Sequence, residues 1–123
     1  MLFRSLRILK TLEKCLLEIT GMDAVTLEPV AGAQGELTGL LLARAYHTAN
    51  GNPRKKVLIP DSAHGTNPAT AVIAGYEVQN VASESHGMLD TVRLRELVTE
   101  DVAVLMLTNP NTLGIFEIGR AHV

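Results

Sequence analysis

The sequence predicts an α/β fold: a mostly parallel sheet with helices packed on its faces. Three observations predict it. Helical and extended patterns alternate along the whole chain, as they do where helical crossovers join parallel strands. Short extended segments punctuate the helices, and the last, Val102 to Leu107, is a continuous apolar run, the pattern of a strand covered on both faces. After each extended segment comes a cluster of glycine, hydroxyl, amide or imidazole residues. In open α/β sheets ligands bind beyond the carboxyl ends of the strands, so these clusters mark one edge of the sheet as a polar ligand site.

The elements follow in order. Leu6 to Thr20 carries Leu6, Leu9, Leu12, Leu16, Leu17 and Ile19 near helical spacing, with Gly21 as the stop. Cys15 falls within this apolar pattern and is expected to be a buried structural thiol. Ala24 to Val30 reads as a short first strand, although Pro29 bars it from a central position. Ala31-Gly32-Ala33-Gln34-Gly35-Glu36 forms a turn, and a helix runs from about Glu36 to Ala49, ended by Asn50-Gly51. Lys56 to Ile59 is a strand closed by Pro60. Asn67-Pro68 reads as an N-cap with proline at the first helical position. Tyr76 to Val81 alternates like a strand, and Asp90 caps a helix reaching about Val98. Val102 to Leu107 is a continuous apolar run, expected to be buried on both faces.

With 123 residues the chain holds at most one ordinary domain. At 46% hydrophobic and 20% charged, it is globular in composition. The formal net charge of −2 offers no basic surplus for nucleic acid. No apolar run approaches the roughly 18 residues of a membrane span, and Met1 to Ser5 is too short for a signal peptide. A soluble cytoplasmic protein is expected. One cysteine excludes an intrachain disulfide, and neither histidine spacing nor a cysteine pair suggests a metal site.

The candidate chemistry lies in the post-strand clusters. Gly32-Ala33-Gln34-Gly35 opens a helix, where backbone N–H groups and the helix dipole favour a phosphate or carboxylate. An ordinary tight turn explains it equally well. It is neither a Walker loop nor G-x-G-x-x-G. His64 stands among small polar residues, either as a surface histidine or as an imidazole stacked on a planar cofactor. His86 beside Gly87 reads as a turn residue, and His47 as a solvated helix residue. Thr108 and Asn109-Pro110 form either a plain turn or hydrogen-bonding partners for a phenolate or carboxylate. No nucleophile elbow supports hydrolase chemistry.

These stretches carry a family resemblance. Glu18-Ile19-Thr20-Gly21-Met22-Asp23-Ala24-Val25, Ala31 to Leu37, Pro60-Asp61-Ser62-Ala63-His64-Gly65-Thr66-Asn67-Pro68-Ala69 and Leu107-Thr108-Asn109-Pro110-Asn111-Thr112-Leu113-Gly114 resemble, in the same order, the C-terminal half of the P-protein of the glycine cleavage system. In many bacteria that half is a separate second subunit. The resemblance implies that residues 6–116 are part of the large domain of a fold-type-I, aminotransferase-like enzyme dependent on pyridoxal 5'-phosphate (PLP). It implies decarboxylation of glycine, with transfer of the aminomethyl group to the lipoyl arm of the H-protein. It further implies association with the N-terminal half or subunit 1 and an oligomeric parent, cytoplasmic in bacteria and mitochondrial in a eukaryote. By the same resemblance Gly32, Ala33, Gln34 and Gly35 join the phosphate cradle. His64 stacks on the pyridine ring as the one catalytic candidate, and Thr108 and Asn109 approach the phenolic oxygen or the substrate.

The resemblance also shows what is missing. The family's Schiff-base lysine belongs to a segment beyond Val123. Lys10, Lys14, Lys55 and Lys56 lack its histidine-lysine context, so the chain is expected to be inactive alone and to expose apolar surface. Residues 1–5 and 117–123 look foreign. Leu2-Phe3-Arg4-Ser5 and Glu117-Ile118-Gly119-Arg120-Ala121-His122-Val123 match sequencing-library adapters read in frame, a hypothesis that other codons in the DNA would overturn. Rival readings are another fold-type-I decarboxylase or aminotransferase, or a non-catalytic paralogue. A first prediction follows for the chain itself. Borohydride reduction after mixing with PLP should label no lysine stoichiometrically, and mass spectrometry finding Lys55 or Lys56 uniquely modified would contradict it.

Overall fold

A computed structural model describes residues 2–117 of the chain. The stretch 118–123 of the expected foreign end, His122 included, lies outside the described residues. The chain divides into one unit up to Gly35 and a second from Glu36.

In the first unit, α1 spans Leu2–Thr20, so Phe3, Arg4 and Ser5 continue the helix predicted from Leu6. Gly21 ends it with φ +66 and donates its N–H to the Leu17 carbonyl at 2.9 Å, a left-handed stop that favours glycine. Leu16 and Leu17 are half-buried, while Phe3, Leu6, Ile8, Leu9, Leu12 and Ile19 are exposed. Cys15 is exposed too, which corrects the expectation of a buried thiol: periodicity identified an apolar helix, but nothing in this unit covers that stretch of it. The segment from Ala24 to Val30 is no strand. Strands exist by pairing, and this one has no ladder among the described residues.

Helix α2 (Gly32–Ala49) begins four residues before the predicted start, so Gly32 to Gly35 are its first turn rather than a turn preceding it. The second unit continues with β1 (Lys56–Pro60), α3 (Thr66–Ile73), β2 (Glu77–Val81), α4 (Thr91–Leu97) and β3 (Val102–Leu105). The sheet is parallel, in the order β2-β1-β3, with Val57 level with Val78 on one side and Leu58 with Leu105 on the other.

Side-chain alternation in β1 dictates the layering. Val57 and Ile59 face a core with Leu40 of α2, Ala71 of α3, Ala74 and Tyr76. Leu58 faces the opposite way, onto Val81, Leu89 and Val102, with Leu94 and Leu97 of α4 against them. Helices therefore cover both faces of the central strand. Because α3 leads from β1 to one neighbour and α4 leads across to the other, the strand order reverses between β1 and β3. In open α/β sheets such a reversal is where a ligand crevice forms, at the carboxyl ends of these strands.

Several local expectations change. The N-cap of α3 is Gly65, without a side-chain cap. Asn67 lies inside the helix because its amide is turned, buried, toward the end of β3. Pro68 still falls in the first turn, where no intrahelical N–H is needed. His47 is half-buried, its Nε2 3.1 Å from the Ala103 carbonyl, rather than solvated. β3 is shorter than predicted and only Val102 is buried in it, since among the described residues it pairs with β1 alone. The expected apolar exposure is present: Val72, Ile73, Leu105, Leu107 and Phe116 face outward.

Asp90 caps α4 as predicted, with one carboxylate oxygen accepting from the backbone N–H of Val92 and Arg93, each at 2.9 Å. Asp90→Ala should lower stability by about 1 kcal/mol, and Asp90→Asn should retain most of it. Urea unfolding of the three chains measures the difference, and equal midpoints for alanine and wild type would refute the cap.

Candidate functional site

Loops following β1 and β3 are sewn together at the crevice. The Thr112 hydroxyl donates to the Ser62 carbonyl at 2.5 Å, and the Asn67 amide reaches the Thr108 hydroxyl at 3.1 Å. A third loop, after β2, is tied in by Asp61, whose carboxylate accepts from the Ser83 backbone N–H at 3.1 Å and from the Ser83 hydroxyl. The hydroxyl bond is the foremost reason that the Asp61 carboxyl lies below its usual pKa of 3.8.

Asn111 organises the chain after β3. Its amide nitrogen donates to the Gly87 carbonyl at 2.9 Å and to Glu117 at 3.2 Å, while its oxygen accepts from the N–H groups of Leu113 and Ile115. Gly87 has φ +79, and a Cβ there would stand 2.7 Å from a Leu113 methyl, so the turn after β2 admits only glycine comfortably. Glu117 accepts from the Leu89 N–H at 3.0 Å and donates its own N–H to the Asn109 side-chain oxygen at 2.9 Å. The amide oxygen of Asn109 is thereby engaged within its own loop.

His64 is exposed on the loop between β1 and α3. Its Nδ1 lies 3.2 Å from the Thr66 backbone nitrogen and 2.5 Å from the Thr66 hydroxyl. The His64 carbonyl accepts from the Asn67 N–H at 2.9 Å. His64, Asn67 and Thr108 thus form one continuous run of groups along the crevice, with Asn109 next to Thr108 in sequence. Asn67 is only 3% exposed, yet its Oδ1 has no hydrogen-bond partner among the described residues, and neither does the buried Ser62 hydroxyl. A buried acceptor without a donor costs about 1–3 kcal/mol, so such atoms mark where a further partner belongs. Reading the sequence missed both. The visible signal was a run of small polar residues after a buried strand, which also fits an N-cap.

Gly32, Ala33, Gln34 and Gly35 belong to the first unit. The N–H groups of Gln34 and Gly35 donate to the Ala31 carbonyl at 3.0 and 3.1 Å, and the Gln34 side-chain oxygen accepts from the Val30 N–H at 2.9 Å. Gln34 therefore clamps the chain entering α2, much as the third residue of a capping box does. A Cβ on Gly32 or Gly35 would meet nothing within 4 Å, so the packing of the described protein does not itself call for glycine there. Lys55 and Lys56 precede or open β1, at the amino edge of the sheet away from the crevice, and Lys56 approaches Asp101 at 3.6 Å. Among the described residues no three His, Cys, Asp or Glu side chains gather as metal ligands.

Known proteins match the chain over most of its length. A probable glycine dehydrogenase (decarboxylating) subunit 2 from Halalkalibacterium halodurans is 60% identical over 120 residues, covering 97% of this chain and 24% of the relative. The chain is similar to that subunit over nearly all of its own length. It spans about a quarter of the length of the curated relatives it matches. Among solved structures, an inhibitor-bound glycine decarboxylase (P-protein) of the glycine cleavage system superposes with a TM-score of 0.67 and 24% identity, over 86% of this chain and 23% of that one. An Oryza sativa TDC solved with PLP and tryptamine superposes at 0.54 with 20% identity, over 61% of this chain and 20% of that one. The fold is that of fold-type-I PLP-dependent enzymes, as the family resemblance implied. No family profile matches the chain.

The latch between Asp61 and Ser83 has a pH signature. A carboxyl whose folded pKa is depressed stabilises the fold above its unfolded pKa and loses that contribution as pH falls through the folded value. Carbon-detected NMR titration should place Asp61 below 3.8, and Ser83→Ala should raise it toward that value. A midpoint at or above 3.8 in the unaltered chain would count against the latch.

Proposed function

We propose that the protein to which this segment belongs decarboxylates glycine with PLP as cofactor and passes the aminomethyl group to the lipoyl arm of the H-protein, working with subunit 1 of the P-protein. The observation that carries this reading is the 60% identity with a glycine dehydrogenase (decarboxylating) subunit 2, joined to a crevice at the strand-order reversal lined by His64, Asn67 and Thr108. A cytoplasmic, oligomeric bacterial enzyme is the setting we infer, since the curated relatives are bacterial.

The crevice residues fit such a cofactor. Asn67 Oδ1 and the Ser62 hydroxyl are buried polar atoms lacking partners among the described residues, a donor and acceptor set suited to a polar ring. PLP, when bound, supplies an electron sink for the bond to be broken. His64 would hold the ring by its flat face, its own orientation fixed by Thr66. Thr108 already accepts from the Asn67 amide, which leaves its hydroxyl proton free to donate to an oxygen of the cofactor or substrate. Asn109 offers its amide nitrogen beside it, its oxygen being occupied by the Glu117 N–H. The phosphate is assigned to Gly32 to Gly35 by the family resemblance alone, since the N–H groups of Gln34 and Gly35 already donate to the Ala31 carbonyl. The lysine that anchors the cofactor must come from elsewhere in the whole enzyme.

The test is made in a complete subunit 2 carrying this segment, assembled with subunit 1. His64→Ala should weaken PLP binding several-fold, since aromatic pairing contributes on the order of 1 kcal/mol. His64→Phe should keep much of the affinity while losing any hydrogen-bonding role, typically worth ~100-fold or more in rate. Unchanged PLP affinity and unchanged glycine decarboxylation in His64→Ala would leave His64 an ordinary surface residue.

A further inference from the structure

We infer that Thr66 is a positioning residue that fixes both the orientation and the tautomer of His64, so that the ring presents Nε2–H outward as a hydrogen-bond donor. The inference deepens the reading of the crevice as the cofactor site and rests on it for its catalytic meaning.

A backbone N–H can only donate. With the Thr66 nitrogen 3.2 Å from His64 Nδ1, that ring nitrogen must be the acceptor and carries no proton. The Thr66 hydroxyl, 2.5 Å from the same atom, then donates to it as well, because an unprotonated imidazole nitrogen has only a lone pair to offer. Two donors on one residue converge on one ring nitrogen. Turning the ring over would put a carbon there and forfeit both bonds, so the orientation is fixed together with the tautomer. The neutral imidazole consequently bears its proton on Nε2, for which no partner exists among the described residues. Position reinforces the arrangement: Gly65 caps α3 and Thr66 is its first residue, so the donor is built into the start of a helix whose Ala71 is wholly buried.

The chemical consequence is a division of labour on one side chain. One edge of the ring is tied to the protein, its face is free for a planar ligand, and the opposite edge offers a single N–H to an oxygen. That oxygen would be a carboxylate or a phosphate. A ring held this way acts as a donor rather than as a base in its neutral form.

The experiment uses the full 123-residue chain, labelled with nitrogen-15, at pH 8, where a free histidine is almost wholly neutral. Long-range correlation spectra should show His64 as one tautomer, with Nδ1 unprotonated and Nε2 protonated and their resonances at opposite extremes. Thr66→Ser should keep that pattern. Thr66→Val, which removes only the hydroxyl, should draw the two resonances toward each other as the ring begins to average. A wild-type ring protonated on Nδ1, or a Thr66→Val spectrum identical to wild type, overturns the inference. Should Thr66→Val fail to fold, the wild-type tautomer and the Thr66→Ser spectrum still decide it. In the complete enzyme, Thr66→Val should weaken PLP binding several-fold, toward His64→Ala, with recovery in Thr66→Ser. If His64→Ala leaves PLP affinity unchanged while the spectra hold, the cofactor reading falls and the tautomer assignment survives.

Discussion

The second unit depends on one constraint: Val57, Leu58 and Ile59 must be buried on both faces of a single strand. These side chains are at most 1% exposed. Three consecutive apolar residues cannot share a face, because successive side chains point in opposite directions. Both faces therefore need covering, and short connections meet the need with α2 and α3 on one side and α4 on the other. Covering both faces with right-handed crossovers sends the chain from β1 first one way and then the other. The reversal of strand order between β1 and β3 follows, and with it the crevice. The site is a by-product of how the central strand is kept dry.

The polar residues around that crevice serve structure before they serve chemistry. Asn111 satisfies its amide wholly within the protein and holds three stretches of chain together. Thr112 and Asp61 fasten neighbouring loops. Asn67 differs from these. It is just as buried as Asn111, but one half of its amide is left over. Asparagine can make several hydrogen bonds, so a buried one with an incomplete set among the described residues keeps capacity for a further partner.

The sequence read well where one physical requirement acted alone. The apolar run of Val57 to Ile59, the Asp90 cap and the parallel sheet implied by alternating elements follow from local or nearly local patterns, and each was legible. Misreadings arose where a second requirement overrode the first. Asn67-Pro68 carried the pattern of a cap and first helical residue, but burial drew the Asn67 side chain toward Thr108 and left Gly65 at the cap. Ala24 to Val30 had the look of a strand, yet pairing is a property of two segments and none pairs with it among the described residues. Cys15 and His47 were judged from helical periodicity, which says which side a residue occupies but not whether anything covers that side. The candidate cluster was legible as a class, polar groups at the carboxyl edge. The family motif pointed to His64 and Thr108, whereas the anchoring Thr66 bond and the unmatched Asn67 oxygen needed coordinates.

β3 has a neighbour on one side only among the described residues. Arg54 and His47 side chains bond the Val102 and Ala103 carbonyls, so what stays open lies toward the exposed Leu105 and Leu107, with no lysine or proline until Pro110. Natural edge strands are usually blunted by charge, proline or a bulge that discourages pairing. This one has a register shift against β1 that skips Ala103, yet it still carries an apolar run of the kind that suits an interior strand. Set free in solution, such a margin is a template for any extended peptide of matching length, including another molecule of the same sequence. Its behaviour will then depend steeply on concentration, with dilute samples staying apart and crowded ones recruiting one another strand by strand.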